Sequence, residues 1–175
     1  MVNRNFTPFP ILTTERLTLR KLSTDDQQAI FALRSDAAIN KYLDRAPSKT
    51  IEDAINFINK INDHIQKNNS IYWVITLRET KIVVGTICLY DFSDEKNTCE
   101  IGYELMTKFQ GQGIMNESAE AVIAYAFQTL KLEKIVAFTH KQNQHSTQLL
   151  TKLNFLQAPE TNDEHPDYTI FTLAQ

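Results

Sequence analysis

The chain has 175 residues, of which 42% are hydrophobic and 22% are charged, and its formal net charge is −3. This ordinary balance excludes a general nucleic-acid or membrane-surface binder, and no apolar run is long enough to cross a bilayer. We expect one globular domain over residues 1–175, located in the cytoplasm, with Cys88 and Cys99 reduced inside apolar strands.

The first half of the chain predicts helical segments that follow one strand. Ser23 and Asp26 have the spacing of a helix capping box, and Thr50 with Asp53 predicts a second cap. The helix after Thr50 carries isoleucines at a period near 3.6, which indicates one apolar face. The predicted elements here are an extended arm over 1–11, a strand over 14–22, a helix that breaks near 35–36, a short helical piece to 43, and a helix from 51.

The second half predicts a mixed sheet. Three β-rich segments joined by short turns indicate antiparallel strands, and Gly85 predicts a bulge or a close packing contact. A strand that follows the next helix should lie parallel to the strand before that helix. The predicted elements are strands over 70–78, 82–92 and 98–106, a helix over 114–130, a strand over 134–140, a helix over 144–153, and strands over 155–157 and 168–173. The fold class is therefore α/β (α+β mixed), with a central, mostly antiparallel twisted sheet of about seven strands and about four helices.

Two of the four glycines, Gly111 and Gly113, stand between a predicted strand and a predicted helix. Free N–H groups and the helix dipole make such a turn an anion site, so residues 110–115 either cradle a phosphate or form an ordinary turn. A phosphate loop of the Walker type is excluded because no lysine follows Gly113. A dinucleotide fingerprint is excluded because Asn116 replaces the third small residue.

Four separated stretches resemble the GNAT acetyltransferases, and within them the branch that contains the ribosomal-protein acetylases RimJ and RimL. In chain order the stretches are 14–20 (TERLTLR), 100–103 (EIGY), 108–113 (KFQGQG), and 143–146 (NQHS) with Leu149, Lys152 and Phe155. Lys108 departs from the usual glutamine or arginine, and Asn154 replaces a glycine whose positive φ asparagine also tolerates. Leu150 stands where some members have a tyrosine general acid, so no such acid is carried over.

The resemblance implies acetyl-CoA as the co-substrate and no metal cofactor. It places the pyrophosphate on the glycine loop and the pantetheine along the strand that ends near Leu105 and Met106. The cofactor-binding residues that it implies are Leu105, Met106, Lys108, Gln110, Gly111, Gln112, Gly113, Ile114, Met115, Asn143, Ser146 and Lys152.

The catalytic residues implied by the resemblance are Glu100 and Ser146. Glu100 would take the proton of the attacking amine, directly or through water, and Glu104 shares its strand face. Ser146 would donate to the departing thiolate. The alternatives are that these glutamates face solvent, that Ser146 belongs to a helix cap, and that Asn143 caps the same helix without touching a ligand.

The acceptor implied by the branch is a primary amine, for example the N-terminal amine of a ribosomal protein, attacked directly in a ternary complex. The alternatives are a small-molecule acetyltransferase acting on a polyamine, an amino acid or an antibiotic, and a module that binds acyl-CoA without turnover. A polyamine would need an acidic pocket, which Asp44, Glu52 and Asp53 could line. We expect a monomer or homodimer that contacts no nucleic acid and no membrane, and the histidine and cysteine spacing predicts no metal site.

Overall fold

The computed structural model describes residues 4–160 and 164–175. Eight strands are found in these residues: β1 Leu12–Thr13, β2 Leu17–Lys21, β3 Ile71–Leu77, β4 Val83–Ser93, β5 Thr98–Leu105, β6 Lys134–His140, β7 Leu156–Gln157 and β8 Tyr168–Ala174. The same residues contain five α-helices: α1 Gln27–Ser35, α2 Ala37–Asn40, α3 Ile51–Gln66, α4 Ile114–Gln128 and α5 Gln144–Lys152. None of the helices in the described ranges is long and apolar enough to cross a membrane.

All eight strands join one sheet in the order β1-β2-β3-β4-β5-β6-β8-β7. Only β5 and β6 are parallel, since the chain returns through α4 between them, and every other neighbouring pair is antiparallel. The predicted mixed, mostly antiparallel sheet is confirmed. The predicted count of strands omits β1, because two residues are too short to show a periodicity, and the predicted short helical piece to 43 is α2, which ends at Asn40.

Both capping boxes form as predicted. The Ser23 hydroxyl accepts from the backbone of the first turn after it, and the Asp26 carboxylate accepts from the Ser23 N–H. Thr50 and Asp53 make the same reciprocal pair at the start of α3. The first box caps the 3₁₀ turn Thr24–Asp26 that runs directly into α1, and the second caps α3 itself.

The helices cover opposite faces of the sheet. Consecutive residues of a strand point to opposite sides, and the Tyr72 ring packs on Phe57 of α3, with ring centroids 5.8 Å apart. The buried ring of Trp73 packs instead on Tyr125 of α4, with centroids 5.5 Å apart. The α1–α3 face and the α4 face are therefore separate layers with β3, β4 and β5 between them.

The parallel pair β5–β6 opens into a wedge. Only three residue pairs join the strands, from Thr98 with Lys134 to Glu100 with Val136. Beyond Glu100, residues 101–105 of β5 pair with β4 alone and leave their other edge open toward α5. The wedge therefore exposes strand backbone in the middle of the sheet, where such groups are normally paired.

Gly85 marks a close approach of β4 to β5 at the broad end of this wedge. A Cβ atom on Gly85 would lie 2.4 Å from the Glu104 carbonyl oxygen, a distance that backbone cannot accommodate without a shift. The register between β3 and β4 also shifts at this point, next to Ile75. The predicted bulge and close contact both occur here, and they set the position of the β5 backbone beside the wedge.

Candidate active site

The glycine loop ends in a helix start that offers free N–H groups. Gly111 and Gly113 have φ angles of 74° and 76°, the left-handed conformation that glycine adopts without strain. Gly113 caps α4, and the backbone N–H groups of residues 111–116 have no acceptor in the described parts of the chain. The loop therefore presents unpaired donors at the positive end of the helix dipole, which suits a phosphate group.

Arg16 holds this loop from the neighbouring β1–β2 segment. Its Nη1 donates to the Gln112 carbonyl oxygen at 2.9 Å, and its Nε donates to Glu117 in the first turn of α4 at 2.6 Å. Burial raises the pKa of Glu117, but hydrogen bonds from Thr14 and Arg16 together bring that pKa below its usual value. The ion pair fastens the loop and the helix start to strand β2.

Two of the predicted loop side chains stabilise the loop itself. Gln110 Nε2 donates to the Leu105 carbonyl oxygen at 3.0 Å, and Gln112 Nε2 donates to the Lys108 carbonyl oxygen at 3.1 Å. The Lys108 ammonium lies 5.0 Å from the ring centroid of Phe109.

Three other predicted cofactor residues flank the loop. Ile114 and Met115 are buried beneath it, so these two residues offer a ligand their backbone N–H groups only. Met106 donates its N–H to Val84 on the neighbouring strand. A ligand in the wedge would therefore meet mainly the edge of β5 around Leu105.

The first turn of α5 closes the other side of the wedge. Asn143 caps this helix, because its Oδ1 accepts from the Ser146 N–H at 3.2 Å. The Ser146 hydroxyl is not a cap: its Oγ lies 2.8 Å from the hydroxyl oxygen of Tyr103 on β5. Lys152 ends the helix and is exposed. The structure thus joins the strand and helix edges of the wedge through two hydroxyl groups.

Tyr103 was not predicted as a site residue. Burial raises the pKa of the Tyr103 phenol to about 12, with a smaller opposing effect from Ser146, so the group stays protonated at neutral pH. It is the fourth residue of the stretch 100–103, and its strand position was the only sequence signal. Its partner is 43 residues away, and a single sequence does not reveal such a pairing.

A cavity of about 740 Å³ lies on the opposite face of β5, under α1 and α3. Its walls include Tyr72 and Phe57, and its floor includes Gly102, where a Cβ atom would lie 3.2 Å from the Tyr90 ring. A cavity of this size holds a drug-sized ligand or the first residues of a peptide. It is therefore a candidate site for the acceptor.

Glu104 is the carboxylate that lines this cavity. Its Oε2 accepts from Arg45 Nη2 at 2.6 Å, and its side chain is only 8% exposed. Its Oε1 is buried without a hydrogen-bond partner among the described residues. An unpaired buried carboxylate oxygen is costly, and a donor from a ligand would satisfy it.

Glu100 lies on the same strand face as Glu104 but about 13 Å away along β5. It is half-buried at the closed end of the wedge, opposite Tyr90 of β4. Burial raises the pKa of Glu100 and the nearby Asp91 adds to this, while a hydrogen bond from Tyr90 opposes it. Glu100 is not fully solvated and does not itself line the cavity, but Tyr90 and Asp91, which contact it, do.

Arg34 is, after Arg45, the second arginine of the cavity that the sequence analysis did not single out. Its guanidinium carbon lies 3.8 Å from the ring centroid of Phe57, and its Nε is buried without an acceptor in the described ranges. Burial lowers the pKa of Arg34, the Arg45 charge lowers it further, and Glu104 opposes both. Phe57 lies among the regularly spaced isoleucines of α3, but nothing in the sequence predicts that an arginine of α1 packs on its ring.

The three acidic residues that could have formed a polyamine pocket are not gathered in the cavity. Asp53 caps α3 and Glu52 is exposed beside it. Asp44 lies with His165 and Tyr168 around a separate pocket of about 310 Å³. The cavity beside Glu104 is lined by none of these three acidic residues and contains arginines instead.

Cys88 and Cys99 are both free thiols, as predicted. Cys88 lines the cavity, and burial raises the pKa of its thiol to about 12, so it is not a nucleophile at neutral pH. Among residues 4–160 and 164–175, no group of three or more metal-ligating side chains is found.

Comparisons with known proteins agree on one family. The sequence model described as "Acetyltransferase (GNAT) domain" matches residues 16–156. The uncharacterized N-acetyltransferase YoaA of Bacillus subtilis is 35% identical over 147 residues, which cover 84% of this chain and 83% of that protein. The [ribosomal protein uS5]-alanine N-acetyltransferase of Escherichia coli is 26% identical over 164 residues, covering 87% of this chain and 81% of that protein.

Solved structures share the fold. A GNAT-family acetyltransferase from Bacillus anthracis has a TM-score of 0.81 at 24% identity and covers 94% of this chain and 98% of its own. RimL, a ribosomal L7/L12 alpha-N-protein acetyltransferase in complex with coenzyme A, has a TM-score of 0.82 at 19% identity. The match covers 94% of this chain and 98% of the RimL chain.

Proposed function

The chain belongs to the GNAT acetyltransferase family and is an N-acetyltransferase, and from this premise we propose that it transfers the acetyl group of acetyl-CoA to the N-terminal amine of a protein. The observation that carries the proposal is the wedge between β5 and β6, which leads from the free N–H groups of the glycine loop to the cavity beside Glu104. The relative that acts on the alanine of a ribosomal protein supports a protein N-terminus as the acceptor.

In this proposal acetyl-CoA lies in the wedge. Its pyrophosphate accepts from the N–H groups of residues 111–116, and its pantetheine arm follows the open edge of β5 at the Leu105 N–H, because the Met106 N–H is bonded to Val84. The coenzyme A bound by the RimL neighbour, which shares the fold, supports this cofactor. Asn143 and Lys152 remain proposed cofactor contacts, whereas Gln110 is already occupied, because its N–H donates to the Thr107 carbonyl and its side chain to the Leu105 carbonyl.

The reaction is a direct transfer. The lone pair of the neutral amine attacks the thioester carbon, a C–N bond forms, and the C–S bond then breaks to release the coenzyme A thiolate. The amine nitrogen loses one proton to a base, and the thiolate gains one from a donor. Holding both substrates in adjacent sites removes most of the entropic barrier to this attack.

The two glutamates of β5 take different roles in this scheme. Glu100 is the base because its raised pKa makes it a stronger base than an exposed carboxylate, and since about 13 Å of strand separates it from Glu104, the proton reaches it through a chain of several waters. Glu104 is already paired with Arg45, which weakens it as a base, and its free oxygen instead orients the amine. Glu104 is therefore a positioning residue.

Ser146 and Tyr103 form the donor to the leaving group. The Ser146 hydroxyl donates to the departing sulfur while the Tyr103 hydroxyl donates to Ser146. The protonated phenol gives this pair a proton to supply, which compensates for the leucine at position 150.

The acceptor class is tested first. Purified protein with acetyl-CoA is offered N-terminal peptides of ribosomal proteins, spermidine, free amino acids and aminoglycosides. We expect mass spectrometry to find acetylated peptide α-amines. Acetylation of the small amines alone would overturn the proposed acceptor while leaving the acetyltransferase activity in place.

Gly113→Val tests the phosphate site. A β-branched side chain at this φ is strained, and its Cβ would lie 3.4 Å from Arg16 Nη2, which holds the loop, so we expect coenzyme A binding to be lost in calorimetry. Lys81→Val is the matched control, because Lys81 has a φ of 60° in the β3–β4 turn. Gly113→Val should lose more thermal stability than Lys81→Val, because a side chain already occupies the left-handed conformation at position 81, and unchanged affinity in folded Gly113→Val would contradict the loop assignment.

Glu100→Gln tests the base. The base works only when deprotonated, so wild-type kcat/KM should fall as the pH drops through the raised pKa of Glu100. The variant should lose that acidic limb and about 10²–10⁴-fold in kcat, with cofactor affinity unchanged. Glu104→Gln should mainly raise the KM of the acceptor. A large loss of kcat in Glu104→Gln with a normal Glu100→Gln enzyme would reverse the two roles.

Ser146→Ala and Tyr103→Phe test the leaving-group donor. Stabilisation of a charge that develops in the transition state should appear in kcat, by about 10²–10³-fold, with the Kd of coenzyme A within a few-fold. Asn143→Ala removes the actual helix cap and should cost about 0.5–2 kcal/mol of stability in urea unfolding. If Ser146→Ala loses stability to that extent and keeps its turnover, the hydroxyl pair is structural.

A further inference from the structure

The cavity under α1 and α3 carries more positive than negative charge. Its acidic lining residues are Asp91 and Glu104, and its basic ones are Arg4, Arg34, Arg45 and Lys60, together with His64. Arg45 is neutralised by Glu104, and Arg4 pairs with Asp94 outside the lining. Within the described ranges, neither Arg34 nor Lys60 has a carboxylate at ion-pair distance. The cavity therefore holds a half-buried arginine, Arg34, without a carboxylate partner of its own, and a solvent-exposed lysine, Lys60, at its wall.

Arg34 is the better defined of these two cations. Stacking on Phe57 at 3.8 Å fixes the plane of its guanidinium, and its Nε is buried without an acceptor in the described chain. A planar guanidinium matches a carboxylate or phosphate with two parallel hydrogen bonds. Leaving a buried charged donor unpaired is expensive, so an anion that enters the cavity would bind where it satisfies this group.

Glu104 supplies the opposite half of the site. One oxygen is held by Arg45 at 2.6 Å, and the other is buried and unpaired on the floor of the same cavity. An amine or ammonium group is the donor that this oxygen lacks. One cavity thus contains an unpaired acceptor for an amine and an unpaired donor for an anion.

We infer that the acceptor carries a carboxylate or another anionic group close to the amine that is acetylated. The amine donates to Glu104 Oε1, and the anion accepts from Arg34, with Lys60 adding positive charge at the cavity wall. This inference rests on the proposed function. For a protein N-terminus it means an acidic side chain within the first few residues. A free amino acid would bring the same chemistry through its own carboxylate, whereas a polycation would be repelled.

Matched acceptors test the inference. One pair of peptides begins serine–aspartate or serine–asparagine, and a second pair carries the acid or amide at the third position. Free aspartate, with its methyl ester and amide, forms the small-molecule arm. We expect the acidic member of one arm to have a kcat/KM about 10-fold to 150-fold higher, the range for one hydrogen bond to a charged group.

Variants connect this preference to the cavity. Arg34→Gln should reduce the acid-to-amide ratio to near one, Lys60→Gln should reduce it partly, and Arg34→Lys should keep part of it. Lys96→Gln, which removes the same charge from the exposed β4–β5 turn, should leave the ratio unchanged. Thermal melts identify any variant that fails to fold, and calorimetry of each acceptor with the coenzyme A complex gives a readout that does not depend on turnover.

The outcomes separate the two proposals. An acid preference confined to free amino acids supports the anion site and overturns the protein N-terminus as acceptor. Equal kcat/KM and equal affinity for acid and amide in both arms, or no binding of either, overturns the anion site. A preference that persists in both Arg34→Gln and Lys60→Gln overturns it as well, because the discrimination would then arise elsewhere.

Discussion

The parallel pairing of β5 and β6 lasts for only three residue pairs, and the rest of the site depends on that limit. A sheet that stayed closed would hydrogen-bond the edge of β5 along its length and leave no polar backbone for a ligand. Gly85 contributes to the geometry because β4 packs directly against the Glu104 carbonyl at this point. On the other side of the wedge, the capped first turn of α5 is connected to β5 by the Tyr103–Ser146 contact.

The alternation of side chains along β5 divides the work between two faces. Tyr103 bonds Ser146 of α5 and also lines the edge of the cavity, whereas the carboxylate of Glu104, the next residue, lies in the cavity under α3. A group bound in the wedge and a group bound in the cavity therefore meet at the same short piece of strand. The two regions differ in charge. The Tyr103–Ser146 hydroxyl pair in the wedge is neutral, whereas the cavity contains the Arg45–Glu104 ion pair and the stacked Arg34.

Sequence reasoning recovers what is local in this fold. Ser23 and Asp26, or Thr50 and Asp53, stand three residues apart, and their spacing alone places the helix starts. The glycine loop has the predicted conformation for the same reason. Contacts between distant segments were not recovered: Tyr103 with Ser146 and Arg45 with Glu104 are 43 and 59 residues apart. Such pairs depend on strand register and on how helices lie on the sheet, and neither is written in a local pattern.

The Arg16 contacts mean that the glycine loop is preorganised. Its residues are ordered when the domain folds, at a conformational entropy cost of about 1–2 kcal/mol per residue. Ligand binding therefore does not incur this entropy cost a second time. The ion pair with Glu117 is partly exposed to solvent, and rising salt weakens surface pairs of this kind, with a Debye length of about 10 Å at 0.1 M ionic strength. Ionic strength should therefore act twice on anion affinity, once on the charged ligand and once by loosening the loop that receives it.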